Sequence, residues 1–348
     1  MGLTRTLLVE IADESGVGEA RRQCAGLARQ AGFDETRQGR VALVATEIAT
    51  NVLRHAERGG RVLARALQRH GRIAFEILGV DEGPGIPDVA AALRNGYSTA
   101  GTAGTGLGAV KRLSDEFDVY SLPDAGAVVL ARILAGTALS AGRGPLDIGV
   151  VATPKPGQDV CGDGWSAVQH PDRTWLMVSD GLGHGPEAAL ASAAAARVLQ
   201  EAGTRSPAEH LAAMHEALRR TRGAAVVVVE IRHDTAELAY AGIGNIAASI
   251  VTPVASRSLI SHDGIVGHGM SRVHQLTEKF SPEALLVMHS DGLTQRCNVG
   301  DYPGLMTKDP AIIAAVLHRA CARGRDDALV LVAKPVEPAW RGAGAQPS

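Results

Sequence analysis

The stretch Gly136–Pro145 (GTALSAGRGP) constrains this chain most. Near the middle of 348 residues, it is small, Gly-rich and without apolar periodicity, as expected of a linker. A chain of this length already favours two cores over one, and this segment gives the boundary. The reading is residues 1–135, a linker at 136–145, a second domain at 146–335, and a tail from residue 336 (VEPAWRGAGAQPS) expected to be disordered. With 45% hydrophobic and 21% charged residues, both halves can build cores. The 35 Lys plus Arg nearly balance the 37 Asp plus Glu, and only 11 residues are aromatic (Phe 4, Tyr 4, Trp 3). Neither a nucleic-acid partner nor a charged membrane surface is indicated. No apolar run reaches the ~18 residues of a membrane span, and no signal-peptide core opens the chain, so the expected location is cytoplasmic. Cys24, Cys161, Cys297 and Cys321 form no Cys-x-x-Cys pair and read as small buried hydrophobes.

In the first half, apolar spacing predicts helices at 15–30 and 36–55, strands at 61–66, 73–80, 117–121 and 127–133, and a Gly-rich stretch from Gly96 entering a helix that reaches Ser114. Helices mixed with hairpin-linked strands indicate an α+β class. On the second helix, Val41, Val44, Ala45, Ile48 and Val52 form the apolar stripe, with Glu47, Asn51 and His55 four apart along its border. Any one of these alone reads as solvated helix surface. Strand 73–80 runs into Asp81-Glu-Gly-Pro-Gly-Ile86, where a carboxylate stands at a strand end beside Gly83 and Gly85, which would let a ligand approach the backbone. Gly101, Gly104, Gly106 and Gly108 then open into a helix, an arrangement suited to cradling phosphates. The glycines alone are a weak signal, and no strand immediately precedes them, which argues against a dinucleotide-binding reading.

In this order and spacing the three elements resemble the N, G1 and G2 boxes of the GHKL ATPase/kinase superfamily. Asp81–Asp88 (DEGPGIPD), Asn95–Thr99 (NGYST) and Val110–Phe117 (VKRLSDEF) narrow the likeness to RsbT-type serine/threonine switch kinases. The resemblance implies a Bergerat-type ATP-binding α/β sandwich. It makes Glu47 the general base toward a substrate hydroxyl, Asn51 the holder of Mg²⁺ against the phosphates of ATP, and Asp81 the partner of the adenine amine. Gly83 and Gly85 would also line the nucleotide, and Gly101 to Gly108 would form a lid. No phosphoacceptor histidine box is visible, and His55 reads as core-edge packing.

In the second half, strands are expected at 148–152, 174–179, 225–231, 285–289 and 328–333, with helices at 186–201 and 207–220. Two apolar strands each end in Ser-Asp-Gly, carrying Asp180 and Asp291. Either alone reads as a turn. Asp163 precedes a strand, and Asp326-Asp327 stands immediately before another. With alternating strand directions the acids converge on one sheet edge, where hard divalent cations would relieve their repulsion.

The ordered set Gly162-Asp163, Ser179–Gly185, Ala241–Asn245, Ser290–Gly292 and Asp326-Asp327 resembles the PPM/SpoIIE metal-dependent serine/threonine phosphatases, in size most like RsbX-type members. That implies a PPM-type αββα sandwich holding two Mn²⁺ or Mg²⁺ through Asp163, Asp180, the Gly181 carbonyl, Asp291 and Asp326. The family's usual Thr two positions after Asp327 is Leu329 here. His184 is open between a ligand or acid role and a turn role, and His289 reads as packing. Together the resemblances imply a bifunctional partner-switching regulator that phosphorylates, and dephosphorylates, a STAS-domain anti-anti-sigma-type phosphoprotein, with a sigma factor or other regulator downstream. The alternative is that the first domain is a nucleotide-gated anti-sigma-like binding module and only the phosphatase is active.

Overall fold

The computed structural model describes residues 6–56, 59–69, 71–94, 106–136, 144–201, 205–270, 273–294 and 296–336. The chain divides into two compact units, with the boundary between Gly142 and Arg143. Residues 137–143, the rest of the expected tail beyond Val336, and the Asn95–Thr99 motif lie outside the described residues. Val336 itself is buried, and its N–H donates to the Pro145 carbonyl at 3.0 Å.

The first unit is a five-stranded sheet carrying two long helices. Strand β1 (Leu7–Ile11) leads into helix α1 (Glu14–Gln30), then α2 (Glu35–His55). Both helices begin where an aspartate caps the free N–H groups: Asp13 accepts from Ser15 and Gly16, and Asp34 from Arg37. Strands β2 (Gly60–Arg69) and β3 (Arg72–Asp81) form a hairpin through Gly71, whose φ of 74° suits a residue without Cβ. After the short α3 (Val89–Ala92) and α4 (Gly106–Leu113), strands β4 (Glu116–Ser121) and β5 (Ala127–Leu134) form a second hairpin. The order β1-β2-β3-β5-β4 is antiparallel throughout. Helix α2 buries Val41, Val44, Ala45, Ile48, Ala49 and Val52. It sits close to the sheet because β-carbons are missing there: one added at Gly79 would lie 2.4 Å from the Ile48 side chain, and one at Gly60 2.6 Å from Val52.

On this sheet Arg65 of β2, Glu76 of β3, Arg132 of β5 and Glu116 of β4 stand in register across four strands. Glu76 pairs with Arg65 and with Arg132, each at 2.7 Å, and Glu116 takes Arg132 at 3.0 Å and Arg69 at 2.9 Å. Arg65, Glu76 and Arg132 are all buried.

The second unit stacks two five-stranded antiparallel sheets between helices. Its strands are β6 (Leu146–Thr153), β7 (Asp163–Gln169), β8 (Arg173–Gly181), β9 (Ala224–Arg232), β10 (Glu237–Ile243), β11 (Ala247–Val251), β12 (Ser256–Leu259), β13 (Leu276–Lys279), β14 (Leu285–His289) and β15 (Ala328–Pro335). The orders are β13-β10-β9-β8-β7 and β12-β11-β14-β15-β6. Alternation along β8 shows the layering: Leu176 and Val178 join the core shared with Leu286, Met288, Leu329 and Leu331 of the facing sheet. Trp175 and Met177 point the other way, into a core with helices α5 (Pro186–Glu201) and α6 (Pro207–Leu218). Helix α7 (Pro310–Cys321) covers the second sheet, its first turn so close to β6 that a Cβ at Gly149 would meet Ala311 N at 2.1 Å. This is the expected αββα sandwich. The sequence reading omitted α7 because ten of its twelve residues are buried, so its apolar pattern runs nearly all round the helix and shows no amphipathic period. Among the described residues, no helix is long and apolar enough to cross a membrane.

Candidate functional site

In the second unit the acids come together from strand ends. Asp163 opens β7, Asp180 stands near the end of β8, and the two face each other in the strand register. Asp291 follows β14, and Asp326 lies just before β15. Asp180, Asp291 and Asp326 line one cleft of about 410 Å³, together with His184, Asn245 and Asp263. Asp163 lies behind, 5% exposed, and its Oδ2 is buried without a hydrogen-bond partner among the described residues. Burial, then the charge of Asp180, pushes the Asp163 carboxyl well above the carboxylate range. Burial followed by the charges of Asp291 and Asp326 pushes Asp180 up to about 7. A hydrogen bond joins Asp180 to Asp291, and Asn245 Nδ2 donates to Asp291 Oδ2 at 2.5 Å.

Two small-residue contacts bring these strand ends together. A Cβ on Gly181 would lie 2.2 Å from the Ala188 carbonyl of α5, and one on Gly292 would lie 1.9 Å from the Asp327 carbonyl. Both glycines therefore serve backbone approach, whatever else the Gly181 carbonyl does. Asp327 is occupied within the fold: its Oδ1 accepts from Lys155 N–H at 2.8 Å and its Oδ2 from Gly162 N–H at 2.9 Å. It fastens the segment before Asp163, leaving Asp326 at the cleft.

Hard oxygen donors, an orphaned buried carboxylate oxygen and carboxyls driven toward neutrality by one another are the chemistry that a divalent cation relieves. The donor set fits one. Among the described residues, however, no group of three or more His, Cys, Asp or Glu side chains is arranged to hold a metal ion, so the acids share a cleft without forming a closed ligand shell.

Sequence reasoning missed Asp263, and it quoted Ser290 within a motif without assigning it a role. Asp263 lines the cleft from a Ser-His-Asp-Gly turn whose only signal was an Asp-Gly dipeptide. Ser290 is fully buried and ties three strands: its hydroxyl hydrogen-bonds Asp163, and Leu329 N–H donates to its Oγ at 3.0 Å. Leu329 itself packs its side chain in the core between the sheets. His184 is exposed at the cleft. His289 is buried beside its own chain, with Nδ1 2.9 Å from the Ser290 carbonyl.

In the first unit, Glu47 and Asn51 lie one turn apart on α2, both half-buried at the border of its apolar stripe. Burial raises the Glu47 carboxyl above its ordinary value, opposed by the charge of Arg54. The start of α4 comes to Asn51: a Cβ on Gly106 would lie 3.6 Å from its Oδ1. Asp81 Oδ1 accepts from Gly83 N–H at 2.9 Å and from Ala127 N–H at 3.2 Å, which fixes the end of β3. Gly83, Gly85 and Gly108 have partners inside the protein. Their added Cβ atoms would meet the His55 carbonyl at 2.3 Å, the Leu122 carbonyl at 2.3 Å and the Leu93 carbonyl at 3.2 Å. The fold itself thus requires Gly83 and Gly85, with no need to invoke a ligand's approach. Gly101 and Gly104 lie outside the described residues. His55 is exposed in the last turn of α2, contrary to the expected packing role, because the helix ends there and its side chain has left the apolar stripe.

Residues 11–133 match the family of histidine kinase-like ATPase domains, and residues 170–335 match the stage II sporulation protein E (SpoIIE) family; the second match starts beyond Asp163. The chain is 34% identical over 123 residues to the serine/threonine-protein kinase RsbT of Bacillus subtilis (strain 168), covering 35% of this chain and 92% of that protein. Among solved structures, a chain from work on the bacterial stressosome as a modular system adapted to control secondary-messenger signalling is 24% identical, with TM-score 0.51, covering 54% of this chain and 99% of that one. The crystal structure of RsbX in complex with magnesium is 19% identical, with TM-score 0.50, covering 55% and 96%. These two likenesses concern the fold.

Proposed function

Because the chain belongs to the RsbT-type kinases in its first unit and carries a SpoIIE-type phosphatase domain in its second, we propose that it is a bifunctional partner-switching regulator: one unit phosphorylates a serine or threonine of a STAS-domain protein, and the other hydrolyses such a phosphoester. The observation that carries the reading is the meeting of Asp163, Asp180, Asp291 and Asp326 from four strand ends, with one carboxylate oxygen orphaned and two carboxyls shifted upward.

In the phosphatase unit, Asp163, Asp180, Asp291 and Asp326 would hold two Mg²⁺ or Mn²⁺, with the Gly181 carbonyl; the magnesium in the RsbX structure supports that choice. When bound, such ions supply an activated water and charge neutralisation at phosphorus. Asn245 orients Asp291, Ser290 orients Asp163, and Asp327 fixes the loop before β7. His184 and Asp263 stand on the cleft wall, where the phosphopeptide enters.

In the kinase unit, Glu47 takes the proton of the attacking hydroxyl. Its raised proton affinity, the result of burial, suits a base better than a fully solvated carboxylate would. Asn51 lies one turn away, where it would hold Mg²⁺ against the phosphates of ATP, and the start of α4 meets it there. Asp81, held by Gly83 and Ala127, would receive the adenine amine.

The test is purified protein with ATP, Mg²⁺ and a STAS-domain protein. Phosphotransfer that is lost in Glu47→Ala, with nucleotide binding retained, supports the kinase. Full phosphotransfer in that variant removes Glu47 from the role, and nucleotide binding without any transfer by the wild type leaves a sequestering module in its place. Failure of Mn²⁺ to stimulate hydrolysis of the phosphorylated STAS protein would overturn the phosphatase half.

A further inference from the structure

The four cysteines differ sharply in surroundings. Cys24 is fully buried in the first unit, and burial pushes its thiol up to about 12. Cys161 donates its S–H to the Thr153 carbonyl at 3.3 Å, and burial beside Asp163 and Asp327 raises it further. Cys297 and Cys321 are the exception, because their side chains hydrogen-bond to each other. Cys297 is half-buried, between the exposed Arg296 and Asn298, and its sulfur also lies 3.8 Å from the Leu317 carbonyl. Cys321, 6% exposed, ends α7. The backbone around the pair is fastened already: Thr294 N–H donates to the Cys321 carbonyl at 2.9 Å and Arg323 N–H to the Gly292 carbonyl at 2.8 Å, with Leu293 and Ala322 bridged between them.

We propose that Cys297 and Cys321 form a redox modification site, in which a peroxide converts the neighbouring thiols into an intramolecular disulfide that staples the chain after Asp291 to the end of α7. The Leu293–Ala322 bridge and the Thr294–Cys321 backbone hydrogen bond hold the two segments side by side, and the Cys297 sulfur lies beside the Leu317 carbonyl, one turn before Cys321, so side-chain rotation can bring the thiols to an S–S bond of about 2.05 Å. The order of attack follows from the surroundings. Hydrogen bonds from Cys297 and Thr294 hold the Cys321 thiol below its ordinary value, so Cys321 is the one cysteine of the four moved toward thiolate; Cys297 is moved the other way by donating to it. The Cys321 thiolate attacks one oxygen of the peroxide and breaks the O–O bond, giving a sulfenic acid and hydroxide, which leaves as water with a proton. Cys297 then loses its proton and attacks the Cys321 sulfur, expelling hydroxide as a second water. Two thiols and one hydrogen peroxide give one disulfide and two waters, the sulfurs losing two electrons and the peroxide oxygens gaining them. The bond would lie six residues after Asp291 and five before Asp326, joining the two segments that bring those acids to the cleft. Its formation does not depend on phosphatase activity.

The experiment treats the full chain with roughly equimolar hydrogen peroxide and reads intact mass and peptide maps. Loss of two hydrogens, a Cys297–Cys321 linked peptide, reversal by dithiothreitol, and Cys24 and Cys161 still open to alkylation after denaturation support the proposal. Cys297→Ser should abolish the linked peptide and trap sulfenic acid on Cys321, detected with dimedone. Cys321→Ser should leave Cys297 at least ~10-fold slower toward peroxide. Oxidation at Cys161 first, disulfide-linked dimers through Cys297, or no linked peptide in a wild-type protein whose melting curve shows it folded would overturn it.

Discussion

Among the described residues, two clusters of ionisable side chains, each built around a buried carboxylate, Glu76 in one and Asp163 in the other, handle charge in opposite ways. In the first unit Glu76 lies between Arg65 and Arg132, and Glu116 closes the row, so that every charge faces its opposite across a strand. In the second unit Asp163, Asp180, Asp291 and Asp326 crowd together, and burial, followed by the neighbouring negative charges, raises the Asp163 and Asp180 carboxyls above the ordinary aspartate value. A compensated row needs nothing from outside and belongs to the fold. An uncompensated cluster is kept at a cost to stability, and its resolution lies in a ligand.

That contrast can be broken most severely at Glu76. Glu76→Gln leaves two buried guanidinium groups facing a neutral amide, and should cost about 3–5 kcal/mol in denaturant unfolding. A loss below ~1 kcal/mol would mean the row is solvated in solution, and the contrast would fall. At the other cluster the expectation reverses. Asp180→Asn should lower Mn²⁺-dependent hydrolysis at least ~100-fold, or about 2.7 kcal/mol of barrier, while thermal stability in chelator stays the same or rises. A drop in stability would show that Asp180 holds the fold together, as Glu76 does.

His210 is a third solution to the same problem. It is fully buried, with neither ring nitrogen hydrogen-bonded among the described residues and Trp175 against its ring, and burial brings it down to about 4. The folded protein therefore keeps it neutral where the unfolded chain, at its ordinary value near 6.5, would take a proton. Stability should be fully present above pH 6.5 and decline as pH falls toward 4, by of order 2 kcal/mol after allowance for solvent screening. Urea titrations of the wild type and His210→Leu should separate the contribution, since the variant loses that part of the slope; equal slopes would remove the assignment. The smallest effect belongs to the exposed pair Arg219–Glu216, 2.9 Å apart with both side chains more than half exposed. Glu216→Ala should change stability by under ~0.5 kcal/mol, and a larger loss would mean that burial is not what divides the ion pairs of this chain.

The two clusters were unequally legible in the sequence. The acids were visible because each sits where an apolar strand meets Gly or a second Asp, a pattern that survives without knowledge of the partners. The Arg65–Glu76 row was invisible: a charge among alternating strand residues reads as a solvent-facing position, and nothing local reveals that the face is buried. Helix α2 was legible to within a residue at its start, because its apolar residues recur every three or four positions beside polar ones. Strand β1 was too short to register, though its pairing with β2 sets a sheet edge. Ser290 lay within a quoted motif, yet its hydrogen bond to Asp163 joins positions far apart in sequence, which no spacing rule reaches.

Helix α5 lies against Gly162, Gly164 and Gly181 through Ala188 and Ser192, so near that an added β-carbon on any of these glycines would clash. The gauge between the starts of β7 and α5 is therefore set by side chains that contain almost nothing. Anyone retuning the cleft for a larger or smaller ion would do well to begin with these alanine and glycine contacts, whose thickness acts as a shim, before altering any of the aspartates.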